Sequence, residues 1–124
     1  MALIMIVDDS PTEVHVFRTA LESHGYDTVA ASDGQECLSL ARKVKPDLIL
    51  MDVVMPGVNG YQATRTLARD PQTSAIPIVM ISSKNLETDK IWGMRQGAAD
   101  YLTKPVTEAD LLAKAREFID RVAE

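Results

Sequence analysis

Five short apolar stretches alternate with five stretches of helical character, and that alternation restricts the fold of this chain more than any other feature. Leu3–Val7, Tyr26–Ala30, Leu48–Met51, Ile78–Ile81 and Asp100–Leu102 read as strands, each brief and bounded by turn residues. Ser10-Pro11-Thr12-Glu13 opens the first helix, with Ser10 at the N-cap, Pro11 at the first helical position and Glu13 at the third. That helix carries Val14, Phe17 and Leu21 on one face and stops at Gly25. Ser32-Asp33-Gly34-Gln35 reads as a second capping box, whose helix runs to about Val44, before Lys45-Pro46. A third helix is expected from Gly60 to Arg69 and a fourth from Leu86 to Gln96, ending at Gly97. Thr107 and Asp110 cap the last, whose stripe is Leu111, Ala115, Phe118 and Val122.

Strict strand–helix alternation with apolar strands implies an α/β fold, a parallel sheet covered by helices on both faces. Right-handed crossovers leave few ways to connect it. The expected architecture is a doubly wound five-stranded sheet in the flavodoxin-like order 2-1-3-4-5, with five helices.

In such a sheet every strand ends on one rim, where ligands and chemistry gather. Asp8 and Asp9 follow the first strand, Asp52 ends the apolar run Leu48-Ile49-Leu50-Met51, Ser82 follows the fourth strand, and Lys104 lies just past the fifth. Three carboxylates brought together repel one another unless a cation intervenes, and a hard divalent ion with oxygen ligands, Mg²⁺ by preference, resolves the conflict. Ser82 adds a hydrogen-bond donor and Lys104 a positive charge, which suits a phosphoryl group beside the metal. Asp52 is the acid at the end of the middle strand, and so the candidate nucleophile.

The 124 residues suffice for one domain with a full core. The formal net charge of −5, without a basic cluster, argues against a nucleic acid or an anionic membrane as main partner. No apolar run reaches the ~18 residues of a membrane helix, and the N-terminus lacks the basic start of a signal peptide, so a cytoplasmic location is expected. The single cysteine, Cys37, has no internal disulfide partner and sits beside Leu38 and Leu40 as a packed thiol.

With these residues in view, the chain resembles a two-component response-regulator receiver domain of the single-domain CheY-like kind. Asp8-Asp9, Asp52 before Met55-Pro56-Gly57, Ser82, Tyr101 and Lys104-Pro105 carry the resemblance, which spans the whole chain. It implies phosphorylation of Asp52 by a phosphohistidine on a histidine kinase or phosphotransfer protein. It also implies Mg²⁺ held by the carboxylates of Asp9 and Asp52, by Asp8 through water and by the Val54 carbonyl. Ser82 and Lys104 would contact the phosphoryl group, Ser82 and Tyr101 would act as the switch, and Pro105 would follow a cis peptide bond. The stretches Val53–Arg65 and Glu87–Ala98 are further similar to PilH/PilG-type regulators of type IV pilus twitching motility. Because the chain ends at Glu124, just past the last helix, the resemblance implies a receiver domain over residues 1–124 with no output domain. It would be a monomer that catalyses only its own phosphorylation and dephosphorylation. Its downstream partner would be a separate protein, reading the face of the fourth helix, fifth strand and last helix as Tyr101 turns inward.

Two other functions fit less well. A haloacid-dehalogenase-type phosphatase needs Asp-x-Asp after a strand, and Asp52-Val53-Val54 does not match. A flavin or nucleotide carrier needs a glycine-rich phosphate loop after the first strand, where Asp8-Asp9 would repel a bare phosphate. His15 and His24 read as solvated or half-buried helix positions without a role. Trp92 and Met94 read as packing residues of the fourth helix, with a partner contact by Trp92 as the alternative, and Gly93, costing about 1 kcal/mol relative to Ala, as a soft point within it.

Overall fold

A computed structural model describes residues 2–123, with side chains described through residue 119. The elements alternate as β1 (Leu3–Val7), α1 (Pro11–Glu22), β2 (Asp27–Ala31), α2 (Gly34–Val44), β3 (Leu48–Asp52), α3 (Gly60–Arg69), β4 (Ile78–Ser82), α4 (Glu87–Gln96), β5 (Asp100–Thr103) and α5 (Glu108–Ala123). The strands form one parallel sheet in the order β2-β1-β3-β4-β5, as the alternation predicts. β3 takes in Asp52, which stands opposite Ile81, and β4 takes in Ser82, opposite Thr103. The ladder thus carries both polar residues one step further than their apolar runs suggest.

Side-chain alternation along the strands sorts the core into two layers. Ile4, Ile6, Leu48, Leu50, Val79 and Ile81 pack with Phe17 and Leu21 of α1 and Leu111, Leu112 and Ala115 of α5. Met5, Val7, Ile49, Met51 and Ile78 pack on the other face with Cys37 and Ala41 of α2 and Ala63 and Leu67 of α3. Fully burying each of these large apolar side chains contributes about 1.5–3 kcal/mol. Cys37 lies in the second layer as a packed thiol, and burial pushes its pKa up to about 12, so it stays protonated and unreactive at neutral pH. A smaller cluster of Val53, Met80, Ala98 and Tyr101, with Tyr61 against it, lies between the sheet and α4.

Helix ends follow local chemistry, with two corrections. Ser10 caps α1 by accepting the Glu13 N–H, and Thr107 caps α5 by accepting that of Asp110. α2 is capped by Asp33, not Ser32: the Asp33 carboxylate accepts the Glu36 N–H at 2.8 Å, because the helix begins one residue later than the Ser32–Gln35 box requires. A reciprocal box that the sequence reading missed opens α3, where Asn59 and Gln62 each accept the other's backbone N–H, at 2.9 and 3.1 Å. The second correction concerns α4. Trp92 and Met94 do not pack in the core: they are 46 and 45 % exposed, because α4 turns Gly93 and Gln96 inward instead. Val122, expected in the α5 stripe, lies outside the described side chains. Among the described residues no helix is long and apolar enough to cross a membrane.

Candidate phosphoryl-transfer site

Four segments deliver side chains to the carboxyl rim of the sheet. Asp52 ends β3 and continues the row of Leu48 and Leu50, which points it toward the α1 side. Asp8 and Asp9 follow β1; Asp8 is buried and accepts the Ser10 N–H at 2.9 Å, whereas Asp9 is exposed. One carboxylate oxygen from each of Asp8, Asp9 and Asp52 lies within 4.8 Å of the others. Lys104 comes from the turn after β5, where its N–H donates to the Ser82 carbonyl at 2.8 Å and its peptide bond to Pro105 is cis. Its ammonium stands 3.2 Å from Asp8 Oδ2 and 3.5 Å from Asp52 Oδ1. It also donates to Glu13 Oε2.

Charge and burial decide the protonation tendencies. Asp8 and Asp52 are only 3 and 7 % exposed, and an unpaired buried carboxylate costs several kcal/mol. Burial raises the Asp52 pKa and the charge of Asp8 adds to the rise, which Lys104 offsets only in part. Burial also raises that of Asp8, with Glu13 adding to it. Glu13 moves the other way, lowered first by its hydrogen bond with Asp8 and then by Lys104. For Lys104, burial alone would lower the pKa; Glu13, Asp52 and Asp8 outweigh burial and hold it up at about 12. The ammonium is therefore charged, yet one ammonium among four acids leaves the rim acid-rich. Oxygen-only donors, two of the three buried, with an uncompensated negative field, fit a hard divalent cation such as Mg²⁺.

Ser82 is fully buried at the end of β4, and its hydroxyl oxygen accepts the Lys84 N–H at 3.1 Å. Tyr101 already lies inward, 8 % exposed, with its hydroxyl donating to the Lys84 carbonyl at 2.9 Å. Lys84 thus joins Ser82 to Tyr101 through its two backbone groups. Beside Tyr101, Tyr61 donates to the Asp89 carbonyl in α4 at 3.3 Å, and burial and Tyr101 raise its pKa. Val54 follows two residues after Asp52 with its side chain exposed.

The sequence reading gave no site role to Glu13, treated only as a helix-start acid, to Lys84 or to Tyr61; the other rim residues it had named. A cue for Glu13 was available: a first-turn acid four residues after Asp9 in a helix leaving the rim. Tyr61 offered none beyond its place after Gly60.

A family model described as the response regulator receiver domain matches residues 4–116. The chain belongs to that family. Protein PilH of Pseudomonas aeruginosa is 57% identical over 112 residues, covering 90% of this chain and 93% of PilH. The response regulator PleD of Caulobacter vibrioides is 39% identical over 115 residues, which are 93% of this chain but 25% of PleD. Among solved structures, the chemotaxis protein CheY4 of Vibrio cholerae superposes with a TM-score of 0.90 at 30% identity, covering 95% of this chain and 98% of that one. The receiver domain of a sensor histidine kinase from Pseudomonas aeruginosa, solved with a magnesium ion in its active-site cleft, gives 0.89 at 30% identity, with 96 and 98% covered. The CheY-like architecture and the two-component signalling role of the receiver family thus rest on sequence and structure together.

Proposed function

We propose that this receiver accepts a phosphoryl group on Asp52 from a phosphohistidine and passes the change to a separate protein. The observation that carries the proposal is the position of Asp52: buried at the rim end of β3, beside two further acids and 3.5 Å from the Lys104 ammonium. Asp52 supplies the attacking carboxylate oxygen. The bond that forms joins that oxygen to phosphorus; the bond that breaks joins phosphorus to the imidazole nitrogen, which keeps the electron pair. Lys104 is within reach of the phosphoryl oxygens, and the Ser82 hydroxyl would donate to them. Asp8, Asp9 and Asp52, with the Val54 carbonyl, would hold Mg²⁺. Bound there, the ion supplies charge neutralisation for the acids and the incoming phosphoryl oxygens.

Response runs through Lys84. A phosphoryl group that draws in Ser82 competes with the Lys84 N–H, and the Lys84 carbonyl holds Tyr101. The surface of α4, β5 and α5 would then report the change to a downstream protein. Phosphorylation can shift that equilibrium only by its differential interaction with the two states, and coupling energies are typically about 1–3 kcal/mol. The 57% identity to PilH, spanning 93% of it, supports a PilH-like regulator, and with it a role in type IV pilus signalling.

The deciding experiment treats wild type and Asp52→Ala with a small acyl phosphate and Mg²⁺ and weighs both intact. Wild type should gain one labile phosphoryl group and the variant none; equal gain in the two defeats the assignment.

A further inference from the structure

Glu13 is absent from the set of groups assigned to the chemistry, yet its carboxylate accepts a hydrogen bond from the Lys104 ammonium. It occupies the third position of α1, where the Ser10 cap accepts its N–H and fixes the first turn. Pro11 at the first position adds a fixed φ. From this anchored turn the Glu13 side chain, 38% exposed, reaches the ammonium that also faces Asp8 and Asp52. One amine is thereby shared among a carboxylate on the entry helix, one at the end of β1 and one at the end of β3. A phosphoryl group on Asp52 would have to draw the ammonium toward itself and away from Glu13.

We infer that Glu13 is a positioning residue that tethers Lys104 on the α1 side of the rim and so competes with the phosphoryl group for it. The inference rests on the reading of Asp52 as phosphoacceptor and deepens it. Two opposite consequences follow from one contact. While Glu13 holds the ammonium, Asp8 and Asp52 are less occupied by it and more available to a cation. The same hold leaves less positive charge for an anion at Asp52. Releasing Lys104 by Glu13→Gln, which preserves size and removes the charge, should weaken Mg²⁺ and strengthen the phosphoryl analogue. A residue that merely capped the helix would move neither, or both together.

The test measures Mg²⁺ binding by NMR titration, and then beryllofluoride binding at saturating Mg²⁺, in wild type, Glu13→Gln and Glu13→Asp. Expected for Glu13→Gln is a Mg²⁺ affinity about threefold weaker and a beryllofluoride affinity about three- to tenfold tighter, as one partly screened charge near the site implies. Glu13→Asp keeps the charge but stops one methylene short of Lys104. By releasing Lys104 it should shift both affinities in the same directions as Glu13→Gln, Mg²⁺ weaker and beryllofluoride tighter. Should Glu13→Gln match wild type in both titrations, or move both affinities the same way, the tether is refuted. Should Glu13→Asp match wild type in both while Glu13→Gln does not, the effect is that of a remote charge and the tether is again refuted. A wild type that binds neither Mg²⁺ nor beryllofluoride fails at the earlier step, overturning the phosphoacceptor reading and this inference with it.

Discussion

Gly60 and Gly93 each bring a helix against the sheet, and the walls they meet are of different kinds. At Gly60, the first residue of α3, an added Cβ would lie 2.2 Å from the Asp52 carbonyl oxygen and 2.8 Å from Val53 Cα. The Gly60 N–H also donates to the Val53 carbonyl at 2.9 Å. That wall is backbone, immediately behind the candidate phosphoacceptor, and it cannot yield without moving the end of β3. At Gly93, within α4, the same atom would lie 2.7 Å from Met80 Sδ and 3.2 Å from Tyr101 Cδ2. That wall is side chain, a flexible thioether and the edge of a ring, and it can adjust. The comparison teaches that the rim and the α4 face are built to different tolerances. Asp52 is held where chain meets chain, whereas α4 rests on parts that rearrange at modest cost.

The largest expected effect tests the rigid side. Gly60→Ala should destabilise by about 3 kcal/mol, the upper range for overpacking, measured by urea unfolding. It should also shift the NMR signals of Asp52 and Val53. Gly93→Ala should cost less, about 1 kcal/mol, since the overpacking is offset in part by the roughly 1 kcal/mol that Ala gains over Gly in a helix. The contrast collapses if the two variants unfold at the same urea concentration.

Electrostatics sharpen the same comparison, because the acids gather at the rim. Asp52 has a folded-state pKa raised above its unfolded value, so between the two the folded chain binds the extra proton. Stability should therefore rise as pH falls from neutral through the raised value, and the gain is complete below the ordinary carboxylate range. Asp8 contributes in the same direction, whereas Glu13, lowered, loses its contribution only as pH falls through its own depressed value. Asp52→Asn should be more stable than wild type by about 1 kcal/mol at neutral pH, while its stability changes less between pH 7 and 5. Thermal unfolding across that range checks it, and a variant less stable than wild type at pH 7 would show that the rim carries no such strain.

The smallest effect lies one turn into α3. The Thr64 hydroxyl is buried without a hydrogen-bond partner among the described residues. Thr64→Val should be neutral or stabilising by about 0.5 kcal/mol, since an apolar isostere removes the unsatisfied group. A clear loss of stability in urea would reveal that the hydroxyl has a partner after all.

Much of this molecule was legible in its sequence because periodicity and caps report on an element's own surroundings. Leu48-Ile49-Leu50-Met51 is apolar throughout because β3 is buried on both faces, and that run named its strand, its central place and Asp52 at its end. The alternation, with right-handed crossovers, then narrowed the strand order to a few, and the expected flavodoxin-like one is the order observed. α4 resisted the same reading. Its apolar residues Ile91, Trp92 and Met94 spread around the helix without a stripe, and the residue it buries most closely against the sheet is a glycine, which carries no hydropathy signal. Trp92 and Met94 were accordingly misplaced, and Gly93 was read as a propensity defect when it is the point of contact with Met80 and Tyr101.

By itself, then, the sequence determined the layers and the acids that collect where the strands end, and narrowed the order of the strands to a few, since each follows from local pattern and the chirality of the chain. Tertiary structure alone decided that Lys104, 91 residues away from Glu13, places its ammonium against that carboxylate, and that Lys84 links Ser82 to Tyr101. The physical reason is that such contacts depend on the angles and offsets at which separate elements pack. A side chain's own neighbours in sequence say which way it faces, and only the packed fold says what it meets there.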